Sequence, residues 1–231
     1  MSPKVLVFGA CGALGSAIAA HLAAEGFVVH TAGTARWQGA VAHLSLSYED
    51  LCSASSVSSL PRLDAVVWSQ GVNCSDTVES FAPADLERLL HGNVLFIASS
   101  LQALLQADKL SRGCRLVVVS SIWQLESRPG KFSYTVSKAA LQGLVKSCAL
   151  DLGHRGIVIN AVLPGVVDTP MTRTHLSEEQ IAAITSQSAL GRLPEPADIA
   201  SAVGFLVSPV NRCITGQFLT VDAGFIGLKH A

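Results

Sequence analysis

Seven short apolar runs, each four to seven residues long, alternate along this chain with stretches of helical length, and that alternation leaves few architectures open. The runs are Val5 to Phe8, Phe27 to Thr31, Ala42 to Leu46, Ala65 to Trp68, Arg115 to Ser120, Ile157 to Leu163 and Phe218 to Val221. Helices are expected over Ser16 to Glu25, closed by Gly26, and over roughly Asp50 to Ser59, Pro83 to Ala107, Phe132 to Gly153, Ser177 to Thr185 and Pro196 to Val207. The connection from Ala32 to Val41 is too short for a full helix. Strands separated by helices require right-handed crossovers, hence a parallel sheet covered on both faces. The expected fold class is therefore α/β, a doubly wound seven-stranded parallel sheet. No long linker interrupts the pattern, so the 231 residues read as one domain.

Charged residues are scarce, 14% against roughly 25% in an average globular chain, while hydrophobic residues reach 49% and the mean hydropathy is +0.43. No run approaches the ~18 uninterrupted apolar residues of a spanning helix, so the chain reads as soluble with no membrane partner. Sixteen basic residues against seventeen acidic ones, with no basic cluster, argue against nucleic acid. The cysteines Cys11, Cys52, Cys74, Cys114, Cys148 and Cys213 are scattered singly, which suits a reducing cytoplasm. The seven histidines show no ligand spacing, and no metal site is expected. His91 is the one placed to approach a site near Asn93. The apolar run after Lys4 is too short for the core of a signal peptide.

Two constellations carry chemistry. In Val5 to Gly15, a strand enters a glycine-punctuated turn and then a helix, whose unpaired N–H groups form an anion site suited to a dinucleotide phosphate. An ordinary strand-to-helix turn would use glycine in the same way. Secondly, Tyr134 and Lys138 are four residues apart on a helical stretch, so both emerge on one face. An ammonium there is expected to lower the tyrosine pKa and suit it to acid/base work. Ser121 follows the Leu116 to Ser120 strand, at the carboxyl end where ligands bind in parallel sheets. No Gly-x-Ser-x-Gly elbow occurs, which disfavours a serine hydrolase.

With these residues in place, the chain resembles the short-chain dehydrogenase/reductase family in its compact, single-domain, Rossmann-like form. Gly9 to Gly15 resembles that family's Thr-Gly-x-x-x-Gly-x-Gly loop, and Trp68-Ser69-Gln70-Gly71 stands in the place of its Asn-Asn-Ala-Gly. Asn93 matches the helix asparagine. Ser121 precedes Tyr134 by the usual thirteen residues, Asn160 to Pro170 resembles the strand and Pro-Gly turn that receive the nicotinamide, and Ile214 to Asp222 resembles the closing strand. Departures are Phe8 for the loop threonine, Ala13 for the middle glycine with Gly12 one place earlier, Ser45 for an aspartate near the adenine, and Ser69-Gln70, which loses an amide that ties neighbouring strands.

The resemblance implies an NAD(P)-dependent oxidoreductase that interconverts a carbonyl and an alcohol. Tyr134 would exchange the proton, Ser121 would bond the carbonyl oxygen, Lys138 would lower the tyrosine pKa and hold the nicotinamide ribose, and Asn93 would fix a water linking the lysine to solvent. Cofactor contacts are implied for Gly9, Cys11, Gly12, Ala13, Leu14 and Gly15, for Thr34, Arg36 and Leu46, for Ser69, Gln70 and Gly71, for Tyr134 and Lys138, and for Pro164, Gly165, Val167 and Thr169. The position of the acidic residue that reads the adenosine 2′-hydroxyl is Gly33. No acid occurs from Val28 through Ser47, and Thr34 and Arg36 can bond a phosphate, so NADP(H) is favoured over NAD(H).

Trp123 is expected to wall the substrate pocket beside Ser121 and Tyr134, with a lid at about 171–193. A small polar ketone is the first substrate class. Carrier-bound 3-oxoacyl chains, met by Arg128, Lys131 and Arg173, are the second. A catalytically silent sensor or scaffold is the alternative from another class. The apolar helices around Asn93 to Ala98 and Ala139 to Val145, with the Phe218 to Leu228 segment, imply a homodimer or homotetramer.

Overall fold

The computed structural model describes residues 2–48 and 50–227. Seven strands form one sheet: β1 (Lys4–Phe8), β2 (Val28–Gly33), β3 (Ala42–Ser45), β4 (Leu63–Trp68), β5 (Leu110–Val119), β6 (Val158–Pro164) and β7 (Phe218–Val221). Their spatial order is β3-β2-β1-β4-β5-β6-β7, and every pairing is parallel. The order reverses at β1, so a crevice opens between the loops that leave β1 and β4.

Alternating residues feed two cores. On one face Leu6, Phe8, Val66, Trp68, Leu116 and Val118 meet α3 (Phe96–Gln106) and α4 (Phe132–Leu152). On the other, Val5, Val7, Val67, Val117 and Val119 meet α1 (Ala13–Ala24) and α7 (Pro196–Val207). A strand covered on both faces has no polar side, which is why these runs are continuously apolar.

The region 50–59 is not helical, contrary to the sequence expectation. It forms successive turns, because serine hydroxyls bond locally instead: Ser53 Oγ meets Ser55 Oγ at 2.8 Å and Ser58 Oγ donates to the Ser55 carbonyl at 2.8 Å. The expected long helix from Pro83 is divided into α2 (Pro83–Leu90), one π turn (His91–Leu95) and α3. The whole rod, Pro83–Gln106, has the length and hydropathy of a membrane span, yet half of its apolar window is buried inside the fold. It is a core rod. Between β6 and α7 lie α5 (Pro170–His175) and α6 (Glu178–Gln187), which make up most of the expected lid. The expected contact segment ends at Leu228, outside the described residues.

The Phe8 departure at the carboxyl edge has a partner in Trp68. Phe8 and Trp68 are register partners on β1 and β4, and their rings stack with centroids 5.8 Å apart and planes 4° apart. Phe96 closes edge-on against Phe8 at 5.6 Å. Trp68 Nε1 donates to Ser100 Oγ at 2.9 Å, so the indole is satisfied in the core. The interstrand tie expected to be lost is present in another form: the Ser69 hydroxyl and amide both donate to the Phe8 carbonyl, at 2.5 and 3.0 Å. Phe8→Thr should lower unfolding free energy by about 3 kcal/mol in urea titrations, and Phe8→Thr/Trp68→Asn should cost less than the sum of the two single changes. A Phe8→Thr loss under about 1 kcal/mol would show that the stack carries little.

Candidate active site

The loops after β1, β4, β5 and β6 leave the same edge of the sheet, and they bring the sequence-expected residues together there. At the first, Gly9 (φ +77°) turns the chain, the Gly12 amide donates to the Gly9 carbonyl at 3.0 Å, and α1 begins. A Cβ on Gly15 would lie 2.1 Å from the Gly9 carbonyl oxygen, and one on Gly9 would lie 2.6 Å from the Gln70 amide nitrogen. Only bare backbone fits. Cys11, Gly12 and Ala13 are exposed, so alanine for the middle glycine meets no obstacle. Cys11 Sγ donates to the Ala35 carbonyl at 3.2 Å, linking this turn to the β2–β3 connection.

No side chain caps α1, and no acidic residue lies in its first turn, so its leading N–H groups and positive dipole end are open to an anion. Beside it the Gln70 side chain is buried with both amide atoms lacking a partner among the described residues. A bare glycine turn, an uncapped helix start and an orphaned amide are the features that a dinucleotide's phosphates and polar edges would satisfy. The residues fit such a cofactor.

Ser121, Tyr134 and Lys138 meet beneath this edge. The Ser121 hydroxyl faces that of Tyr134 closely enough to favour its phenolate. Ser121 Oγ also accepts from the Trp123 amide at 3.3 Å, at the start of a 3₁₀ turn (Ile122–Gln124) that carries Trp123 past the site. Lys138 Nζ lies 5.7 Å from the Tyr134 ring centroid and donates to the Val119 carbonyl at 3.4 Å. A Cβ on Gly71 would sit 3.6 Å from both Lys138 Nζ and Asn93 Oδ1, which places the loop after β4 between them.

Asn93 also has a structural role. Its side chain is engaged: Oδ1 accepts from the Val72 amide at 2.7 Å, while Nδ2 donates to the Val72 carbonyl at 2.9 Å and to Ser137 Oγ at 3.0 Å. With both N–H groups engaged, the side chain clamps the loop after β4, while Oδ1 keeps a second lone pair that can accept from a water. The π turn brings it there, and Gly92 lets Val72 approach, since a Cβ would meet Val72 Cγ2 at 2.7 Å. His91 begins that π turn and is half-buried. Ser137, which donates on to the Tyr134 carbonyl at 2.8 Å, was not singled out from the sequence. A serine one residue before the lysine carries no signal of its own until Asn93 is seen beside it.

The electrostatics also correct an expectation. Burial pushes the Tyr134 phenol up to about 12, against a smaller downward pull from the Ser121 hydroxyl, and burial pushes Lys138 down to about 8. Desolvation decides the direction for both groups, so the tyrosine is not lowered. Lys131 flanks the same ring at 5.6 Å, but it is buried, donating to Asn73 Oδ1, the Cys74 carbonyl and Ser75 Oγ at 3.0 to 3.2 Å. Arg173 is held in a two-pronged ion pair by Asp168, at 2.7 and 2.6 Å. Lys131 is thus spent on the loop after β4, whereas Arg173 stays exposed with N–H groups to spare, as does Arg128, 5.6 Å over the Trp123 ring.

At the remaining loops, Gly165 packs where a Cβ would lie 2.8 Å from Asp222 Cβ, and its amide donates to the Val221 carbonyl. Val167 follows, and Thr169 caps α5 through the Thr172 amide at 3.2 Å. Thr34 and Arg36 are exposed just beyond β2, with one Arg36 nitrogen donating to the Ala40 carbonyl at 2.9 Å. The Leu46 amide donates to the Gly33 carbonyl at 3.0 Å. No cluster of potential metal ligands occurs among the described residues.

The family model described as enoyl-(acyl carrier protein) reductase matches residues 46–226. The chain belongs to the short-chain dehydrogenase/reductase family. A 3-oxoacyl-(acyl-carrier-protein) reductase of Rickettsia felis is 30% identical over 96% of this chain and 95% of its own. Cyclopentanol dehydrogenase of Comamonas testosteroni is 36% identical over 71% of this chain, a match spanning 66% of that enzyme. Among solved structures, a short-chain dehydrogenase/reductase from Serratia marcescens superposes with a TM-score of 0.84 at 30% identity, covering 96% of this chain and 97% of that one. As a family member the protein is an NAD(P)-dependent oxidoreductase acting between alcohols and carbonyls.

The lowered lysine has a measurable consequence. The unfolded chain holds the Lys138 proton up to its ordinary 10.5, whereas the folded protein releases it near 8. Between those values the unfolded state binds more protons, so this group's contribution to stability rises with pH. Lys138→Met should therefore be more stable than wild type at pH 7, on the order of 2 kcal/mol, with the difference shrinking by pH 10. Denaturant titrations at the two pH values read it, and an unchanged difference would contradict the buried ammonium.

Proposed function

We propose that this protein is an NADPH-dependent ketone reductase, with Tyr134 as the proton donor. The observation that carries the reading is the meeting of Ser121, Tyr134 and Lys138 at the carboxyl edge beside the bare glycine turn. When bound, the nicotinamide supplies the hydride in reduction or accepts it in oxidation. Tyr134 keeps its proton across neutral pH and can give it to a carbonyl oxygen. Ser121 donates to the same oxygen and stabilises the charge that develops on it. Below pH 8 Lys138 carries a charge that favours the phenolate left behind, and its nitrogen is placed to hold the ribose past Gly71. Asn93 positions that loop, with Ser137 linking it to α4. The α1 start with Cys11 to Gly15 would hold the phosphates, Leu46, Ser69 and Gln70 the adenosine side, and Pro164 to Thr169 the nicotinamide side.

The exposed Arg36 and Thr34, and the lack of any acid from Val28 through Ser47, support NADP(H). Trp123 beside Ser121, with the lid of α5 and α6, supports a pocket for a small or medium ketone. The names of the relatives span a cyclic alcohol and an acyl-carrier thioester. Since Lys131 is already engaged, the small ketone is preferred to the carrier-bound chain. Six unpaired cysteines support a cytoplasmic setting.

Tyr134→Phe should retain NADPH binding in a fluorescence titration and lose at least about a hundredfold in turnover on a panel of ketones; near-normal turnover would sink the assignment. In the same titration the wild type should bind NADPH more tightly than NADH, and the reverse order would refute the preference. Leu95, Val136 and Leu150 on the α3 and α4 layer are exposed by 50, 39 and 84%, and this apolar surface supports a homodimer or homotetramer. Light scattering that returns a stable monomer at micromolar concentration would contradict it.

A further inference from the structure

In the family's arrangement a side chain at the end of β2 reads the adenosine ribose, and here that position is Gly33. The space is nevertheless filled. A Cβ on Gly33 would lie 2.3 Å from Tyr48 Oη and 3.2 Å from its Cζ, with the Gly9 amide nitrogen 3.9 Å away. Gly33 also has φ +148°, a backbone conformation that glycine adopts far more readily than other residues. Tyr48 comes from the loop after β3 and reaches back across the sheet edge. Its ring packs edge-on against Phe96 at 5.0 Å, and its hydroxyl donates at 3.4 Å to the Ala32 carbonyl, which also accepts from the Gly9 amide at 3.2 Å.

We infer that the Tyr48 hydroxyl replaces the missing side chain at position 33 as the group that meets the adenosine ribose of the bound cofactor. This deepens the dinucleotide reading given above and rests on it. Several observations converge. The hydroxyl occupies the gap between the ends of β1 and β2, within reach of the same glycine turn that would hold the phosphates. Its one proton is directed at Ala32, so a lone pair remains to accept from a ribose hydroxyl. Burial keeps the phenol neutral, so it offers a hydrogen bond without the repulsion that a carboxylate would set against a 2′-phosphate. Discrimination between the two cofactors is thereby separated from ribose anchoring. Tyr48 anchors either one, and Arg36 tells them apart.

Titrating NADPH and NADH separately into wild type, Tyr48→Phe and Arg36→Ala by nicotinamide fluorescence tests the division without any turnover. Tyr48→Phe keeps the ring on Phe96 and should weaken both cofactors by a similar factor, about three- to tenfold, the worth of one neutral hydrogen bond. Arg36→Ala should weaken NADPH alone. Unchanged or tighter binding by Tyr48→Phe, or a loss confined to one cofactor, overturns the inference. Should Tyr48→Phe fail to fold, Gly33→Ala asks the same question by displacing the hydroxyl, and unchanged affinity there is equally fatal. Wild type that binds neither cofactor would instead remove the dinucleotide reading itself.

Discussion

Every strand of this protein points the same way, and the rest follows from that constraint. Parallel strands cannot be joined by tight turns, so each connection must travel back across a face of the sheet before the next strand begins. The outgoing loops therefore collect along one edge, and residues far apart in the chain become neighbours. Gly9, Gly71, Ser121 and Gly165 are separated by some fifty residues each, yet each follows the end of an adjacent strand. The two aromatic rings that lock β1 to β4 and the asparagine clamp behind β4 hold these loops in register, which serves acid/base chemistry that depends on orientation.

Burial then sets the electrostatic character of the site. A phenol pushed upward stays protonated through neutral pH at no cost to the fold, whereas an ammonium pushed downward is charged where burial disfavours charge. The folded protein gives up stability to keep the lysine there, and a bound partner that offers it polar contacts recovers part of the loss. The orphaned amide of Gln70 and the uncapped start of α1 belong to the same pattern. Each is an unsatisfied group that a ligand, rather than the fold, would complete.

Legibility in the sequence followed burial. Runs such as Val5 to Phe8 were readable because a strand covered on both faces leaves only apolar choices, and Tyr134 with Lys138 was readable because helical spacing alone puts them together. The segment 50–59 was misread because its serines bond one another, an outcome that composition does not distinguish from a polar helix. Tyr48 and Ser137 were silent for a different reason. Their meaning lies in what they touch, and Gly33, Gly9 and Asn93 are distant in the chain. The direction of the Tyr134 shift was also out of reach, because the spacing that placed a cation nearby says nothing about how much water the pair loses.

The chain has three tryptophans, and all lie along the edge where the loops gather: Trp37 in the β2–β3 connection, Trp68 as the last residue of β4, and Trp123 on the 3₁₀ turn beyond β5. Trp68 is sealed in the core, while Trp37 and Trp123 are partly open. Indole emission overlaps the absorbance of a reduced nicotinamide, so the fold has placed its own optical donors along the cleft. A bound reduced cofactor would therefore be expected to quench indole emission, with Trp68 shielded from solvent and Trp37 and Trp123 partly open to it.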